Sequence, residues 1–72
     1  MGTKLPVVSG TQLVRALERA GFERRRRTGS HIVLVRGTVD LVVPAHRTVA
    51  IGTLKAILRA ADMTADDLRK LL

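Results

Sequence analysis

Two short runs of β-branched and aliphatic residues, separated by one turn, constrain the fold of this chain more than any other feature. The runs are His31–Arg36 and Val39–Val43, and Gly37-Thr38 lies between them. β-Branched residues favour strands, and a glycine-containing pair can close a tight hairpin. Pro44 follows the second run and favours its end, because proline has no amide hydrogen to donate. The pattern predicts an antiparallel hairpin in the middle of the chain.

A further strand is predicted just before this hairpin. Phe22–Arg27 ends in four consecutive arginines and is followed by a turn at Thr28-Gly29-Ser30. The β propensity of this segment is low, so the prediction depends on the strands that follow it. Strict alternation along a strand would divide the arginines between the two faces of the sheet, and only two would line any one site. The expected pairs are Arg24 with Arg26 and Arg25 with Arg27.

Helical periodicity flanks the predicted strands. Before them, Ser9-Gly10-Thr11-Gln12 matches a capping box, and the apolar spacing after it predicts a helix from about Gly10 to Ala20, with Gly21 beyond its end. After them, residues 45–50 are predicted to form a loop. The next apolar residues recur at helical spacing and predict a second helix from about Ile51 to Ala61.

A short last helix is predicted after Thr64, which suits an N-cap, with Asp67 at the third helical position. Its apolar face would comprise Leu68, Leu71 and Leu72. The whole order is α-β-β-β-α with a terminal helix. It predicts one α+β domain over residues 1–72, a two-layer sandwich with the helices on one face of a three-stranded antiparallel sheet.

One face of this sheet is predicted to need a partner. If Ile32 and Leu34 point at the helices, alternation turns His31, Val33 and Val35 away from them. Apolar residues on both faces of a strand are typical of a sheet covered on both sides. The chain has too few elements to cover the second face, so another molecule is expected to do so.

The charge of the chain indicates an anionic partner. Its formal net charge is +7 and its pI is about 11.6. The basic residues do not follow one amphipathic helix, which favours nucleic acid over a membrane surface. Phe22 is the one aromatic residue, so contacts to phosphate, sugar and shape are expected rather than base stacking. No apolar stretch reaches the roughly 20 residues of a membrane span, and a cytoplasmic protein is expected.

His31 is the candidate catalytic residue. It follows Gly29-Ser30 and lies between the arginines and an apolar strand. Imidazole can accept and donate protons near neutral pH, whereas guanidinium groups bind phosphate and stabilise its charge. From the residues alone, catalysis and simple capping of a turn are equally good interpretations. Four adjacent arginines repel one another unless an anion is bound, so Arg24–Arg27 is interpreted as a phosphate-binding segment.

The remaining candidates carry weaker signals. Ser30 and Lys55 complete the predicted RNA-binding set, although Ser30 also suits a turn alone. Gly52-Thr53 either begins a helix or presents backbone amides to a phosphate. His46 is expected to be an exposed loop residue, with a role as a second proton carrier as the alternative. The chain has no cysteine and two histidines, so no metal site and no cofactor are predicted.

The order of several short motifs resembles the HicA toxin family, also described as YcfA-like. The similarity extends from about Val7 to the C-terminus. The matching segments are Ser9-Gly10, Ala20-Gly21-Phe22, Gly29-Ser30-His31, Val43-Pro44, Gly52-Thr53-Leu54 and Ile57-Leu58.

This resemblance implies a fold like that of double-stranded-RNA-binding domains. It also implies the toxin of a type II toxin–antitoxin pair, an endoribonuclease that cleaves mRNA without a metal. It implies a single catalytic histidine, which would be His31, and a HicB-type antitoxin that would cover the site. Two other functions stay open: a non-catalytic double-stranded-RNA-binding module, and a protein-interaction domain whose basic strand meets an acidic partner.

Overall fold

The computed structural model describes residues 4–72 and confirms the predicted α+β architecture. Three helices and three strands follow one another along the chain in the expected order. They are α1 Gly10–Arg19, β1 Glu23–Thr28, β2 His31–Arg36, β3 Val39–Pro44, α2 Ile51–Ala60 and α3 Ala65–Leu71.

The strands form one antiparallel sheet in the order β1-β2-β3. Ile32 and Leu34 of β2 lie opposite Val43 and Leu41 of β3, and all four are buried beneath the helices. Helices α1 and α2 pack on the sheet, and α3 packs on α1. Among the described residues, helices cover one face of the sheet and leave the other open.

The core is apolar and holds no buried polar or charged residue among residues 4–72. Helix α1 contributes its leucines and a valine, and α2 contributes Leu54, Ile57 and Leu58. Phe22 and Leu68 of α3 are buried in the same cluster. Burial of this kind is the main term that favours folding, at about 25 cal/mol per Å² of apolar surface.

Both ends of α1 follow its sequence signals. The Ser9 hydroxyl oxygen accepts a hydrogen bond from the Gln12 backbone N–H at 3.1 Å. In return, the Gln12 side-chain oxygen accepts one from the Ser9 backbone N–H at 2.8 Å. At the other end, Gly21 has φ +100°, and the Phe22 amide donates to Leu17 O at 3.0 Å. This Schellman-type ending uses Phe22, which is why β1 begins at Glu23, one residue later than predicted.

The C-terminal helices also match the predicted segments, with small shifts at their ends. Helix α2 ends at Ala60 with Ala61 as its C-cap. Thr64 and Asp67 form the capping box of α3. Leu68 is buried and Leu71 packs against the core, but Leu72 is 48% exposed. The prediction that Leu72 belongs to the apolar face is wrong, because α3 ends at Leu71.

Arg36 joins three elements at one end of the sheet. Its Nη1 donates to Ala20 O at 2.8 Å and its Nη2 donates to Ala61 O at 3.1 Å. Its guanidinium lies 4.3 Å from the centre of the Phe22 ring. The cation thus satisfies carbonyl groups at the C-terminal ends of α1 and α2, where the helix dipole favours positive charge.

Candidate functional site

His31 begins β2 directly after a two-residue turn. Gly29 has φ +57°, a conformation that a side chain would disfavour, and Gly29-Ser30 connects the paired residues Thr28 and His31. On its other side His31 pairs with Pro44 of β3. Its side chain is exposed. The hairpin therefore holds His31 in the middle strand, at the end of the sheet.

The open face of the sheet consists of three rows of paired residues. Directly opposed residues share a face, so each row runs across all three strands. The row at the turn is Thr28, His31 and Pro44, the next is Arg26, Val33 and Val42, and the last is Glu23, Val35 and Asp40.

This arrangement confirms that the open face has an apolar centre. Val33 and Val35 are half-buried, and Val42 is 51% exposed. His31 lies in the row at the turn and Arg26 lies at the β1 edge of the middle row, whereas Glu23 and Asp40 flank Val35 in the last row. The valines therefore form an apolar patch with one basic side chain beside its middle row and a carboxylate on each side of its last row.

A β-bulge changes the predicted arrangement of the arginines. Arg24 pairs with Leu34 but Arg26 pairs with the adjacent Val33, so Arg25 is an extra residue in β1. Arg24 consequently shares the face of the buried Leu34, and Arg26 shares the open face with His31. The predicted pairing of Arg24 with Arg26 on one face is wrong, because the bulge interrupts strict alternation.

The arginines also differ in their partners. Arg24 Nη2 lies 3.9 Å from Glu18 Oε1 of α1. Arg27 is paired with the buried Ile32, and its Nε donates to Gly29 O at 3.1 Å, which supports the turn before His31. Every residue of β1 is exposed. Arg26 is the arginine whose register places it on the face of His31.

A cleft of about 420 Å³ lies beside His31 at the edge of the sheet. Both histidines of the chain line it. Its remaining lining residues come from the end of β3 and the start of α2: Val42, Pro44, Ala50 and Thr53.

His46 is exposed, as predicted, yet it shares this cleft with His31. The sequence predicts an exposed loop residue, with a second proton carrier as the alternative, and does not place it beside His31. The signal that could have found it is the pairing of Val39–Pro44 with β2, which places Pro44 opposite His31 and His46 two residues farther on.

Of the other predicted site residues, some lie near His31 and one does not. Ser30 lies in the turn, and its carbonyl accepts from the Ala45 amide at 2.6 Å. Thr53 reaches the cleft, but Lys55 lines a separate depression with Leu58 and Met63. The structure brings together His31, His46 and Thr53, with Arg26 on the adjacent row, and leaves Lys55 apart. The RNA-binding roles of these residues stay predictions.

Within residues 4–72, no three histidine, cysteine, aspartate or glutamate side chains come together as a metal-binding group. The helices of this part of the chain are all too short or too polar to cross a membrane.

Comparison with known proteins identifies the family. A search of the curated proteins gave no significant match. The family model described as the HicA toxin of bacterial toxin–antitoxin matches residues 10–63, from the start of α1 to just beyond α2. This span covers most of the chain, including every strand and the cleft. The chain therefore belongs to the HicA toxin family: it is a toxin of a toxin–antitoxin pair, and a cognate antitoxin is its partner.

Proposed function

We propose that this toxin is a metal-independent endoribonuclease that cleaves mRNA in the cytoplasm, with His31 as a catalytic acid–base group. The observation that supports this most is the exposed position of His31, which lines a cleft on the β3 side and belongs to the strand that pairs with the arginine-bearing β1. A phosphodiester on the open face would meet the Arg26 guanidinium next to the imidazole. Arginine is suited to this task because its planar group binds phosphate through two donors.

The proposed reaction needs only the RNA and these side chains. The ribose 2′-oxygen attacks the adjacent phosphorus while the bond from phosphorus to the 5′-oxygen breaks. His31 either removes the proton from the 2′-hydroxyl or delivers one to the 5′-oxygen. General acid–base catalysis of this kind contributes about 10²–10⁴-fold. The products are a 2′,3′-cyclic phosphate and a 5′-hydroxyl.

The exposed basic strand β1 also favours RNA binding without cleavage as a second candidate function. All six of its residues are exposed, and four are arginines. Binding through phosphates would weaken steeply with salt, because each contact releases counterions. Such a module would bind RNA equally well with or without His31 and would produce no new RNA ends.

A HicB-type antitoxin is the proposed partner at the open face. It would place apolar side chains on Val33, Val35 and Val42, and acidic groups near Arg26. Donor groups would meet the carboxylates of Glu23 and Asp40, which flank Val35 in the last row. This pattern gives the complex one preferred orientation, because reversing the antitoxin would bring like charges together. Covering the face in this way would bury His31 and block RNA.

The deciding experiment compares wild type and His31→Ala in RNA cleavage with excess chelator present. Wild type should produce cyclic-phosphate ends, and the variant should lose at least about 10²-fold in rate. Its fold should be intact, because the side chain lies outside the core. Arg15→Ala, on the exposed side of α1, serves as the matched control. Cleavage by His31→Ala at the wild-type rate, or dependence on magnesium, would contradict the proposal.

A further inference from the structure

We propose that His46 is the second proton carrier of the cleft, so that cleavage uses a pair of histidines rather than His31 alone. This inference rests on the proposed ribonuclease function. The observation behind it is that the two histidines of the chain, 15 positions apart in sequence, line one cleft of about 420 Å³. That volume falls within the range of clefts that hold small ligands.

The backbone on both sides of His46 is fixed against the site. The Ala45 amide donates to Ser30 O at 2.6 Å, which ties the loop to the residue before His31. The carbonyl of His46 itself accepts from the Gly10 amide at 2.9 Å, which ties it to the start of α1. Because the backbone is held at these two points, the His46 imidazole stays at the cleft. On a mobile loop the imidazole would occupy many positions, few of them productive.

Gly10 makes the second attachment possible. A Cβ atom built there would collide with the carbonyl oxygen of Pro44 and lie 2.8 Å from Ala45 Cα. The first residue of α1 therefore packs directly on the backbone that leads to His46. This close approach gives the 45–50 loop a fixed position without any helix or strand of its own.

The reaction requires one proton to be accepted and another to be donated. A single imidazole cannot do both in the same step, whereas two imidazoles can. As the 2′-oxygen attacks phosphorus, a neutral imidazole accepts the 2′-hydroxyl proton. As the bond to the 5′-oxygen breaks, an imidazolium donates a proton to that oxygen. The 2′,3′-cyclic phosphate and the 5′-hydroxyl leave, and the pair ends with its charge states exchanged. Neither a metal nor a co-reactant is required.

The first test is the pH dependence of kcat/KM for a dinucleotide substrate. Wild type should give a bell-shaped profile, because one imidazole must be neutral and the other protonated. His46→Gln should lower the rate by about 10²-fold or more and lose one limb of the bell. Thr48→Ala, an exposed residue in the same loop, is the control and should keep both limbs.

The second test uses a substrate whose 5′-bridging oxygen is replaced by sulfur. A thiolate leaves without protonation, because thiols are far more acidic than alcohols. The variant that lacks the general acid should therefore regain most of its rate, and the variant that lacks the base should not. Of His31→Ala and His46→Ala, one alone should be rescued.

The outcomes separate this inference from the function on which it rests. If wild type does not cleave RNA, the ribonuclease proposal is wrong and the histidine pair falls with it. If wild type cleaves and His31→Ala does not, but His46→Gln keeps the full bell and rate, only the pair is overturned. A rate loss in His46→Gln with both limbs retained and no sulfur rescue of either alanine variant would show a structural role and also overturn it.

Discussion

At the residue scale, the packing of this small domain depends on a few individual residues. One arginine side chain bridges several elements, and one glycine allows two backbone segments to approach closely. Arg36 is the clearest case, because one guanidinium satisfies carbonyls of two helices and covers the ring of Phe22. Its sequence position, at the end of a predicted strand, gives no sign of this role. The three contacts arise only when the C-terminal ends of α1 and α2 meet at the end of β2.

Replacing Arg36 by alanine should lower the free energy of unfolding by about 1.5–3 kcal/mol, because hydrogen bonds from a charged donor are lost and two carbonyls lose their partner. Denaturant titration would measure the loss. Arg59→Ala, an exposed arginine of α2, should change stability by less than about 0.5 kcal/mol. Equal effects of the two substitutions would contradict the role assigned to Arg36.

Two glycines at helix starts should respond oppositely to alanine. Gly10→Ala should destabilise the protein by about 1–3 kcal/mol, because its Cβ would collide with the backbone at Pro44 and Ala45. A Cβ atom at Gly52 would have no neighbour within 4 Å. Gly52→Ala should therefore stabilise α2 by about 0.5–1 kcal/mol. Thermal or denaturant unfolding distinguishes them. A neutral Gly10→Ala would show that the contact between α1 and the loop is loose.

At the element scale, α3 depends on its N-terminal cap more than on its length. It has seven residues, too few to be stable as an isolated helix. The Thr64 amide donates to Asp67 Oδ2 at 2.9 Å, and the Asp67 amide donates to Thr64 Oγ1 at 3.1 Å. The backbone amide and then the side chain of Thr64 hold the pKa of Asp67 below its ordinary value of 3.8, with a smaller contribution from Lys70.

This lowered pKa predicts a loss of stability in acid. Because the folded-state pKa is lowered, the stabilisation is fully present above pH 3.8 and disappears as the pH falls through the folded-state value. Asp67→Asn keeps an acceptor oxygen but does not titrate, so its unfolding free energy should fall less steeply with acid than that of wild type. Denaturant titrations across this range would compare the two slopes. Parallel slopes would contradict the assignment.

At the scale of the whole molecule, the described residues 4–72 build two layers and leave the second face of the sheet open. The Cα extents of 37 × 26 × 18 Å fit one sheet with one helical layer. The open face presents Val33, Val35 and Val42, with Arg26 beside the middle row and Glu23 and Asp40 on either side of Val35 in the last row. An antitoxin that matches this order of charges would associate quickly in one orientation.

Charge reversal on this face should therefore act on the association rate. Arg26→Glu should slow binding of the antitoxin by about tenfold at low salt and much less at high salt, with a smaller change in the dissociation rate. Arg15→Glu makes the same charge change on α1, in the opposite layer, and should slow binding much less. Stopped-flow mixing would measure both. Equal slowing would indicate a dependence on net charge alone.

The sequence by itself determined the elements and their order. The capping boxes at Ser9 and Thr64, the apolar spacing of α1 and α2, and the β-branched runs around Gly37-Thr38 are local signals, and each appears in the structure within about one residue of its predicted place. Local backbone preferences and side-chain periodicity act over a few residues, so they can be interpreted without the fold. The position of His31 at the start of β2 follows in the same way from the turn before it.

The tertiary structure decided which side chains meet. The bulge at Arg25 placed Arg24 and Arg26 on different faces, and pairing of β2 with β3 brought His46 to the cleft of His31. Arg36 found its partners only at the meeting of two helix ends. These contacts depend on strand register and on how layers pack. A shift of one residue exchanges the faces of a strand, and no periodicity in the sequence records where such a shift occurs.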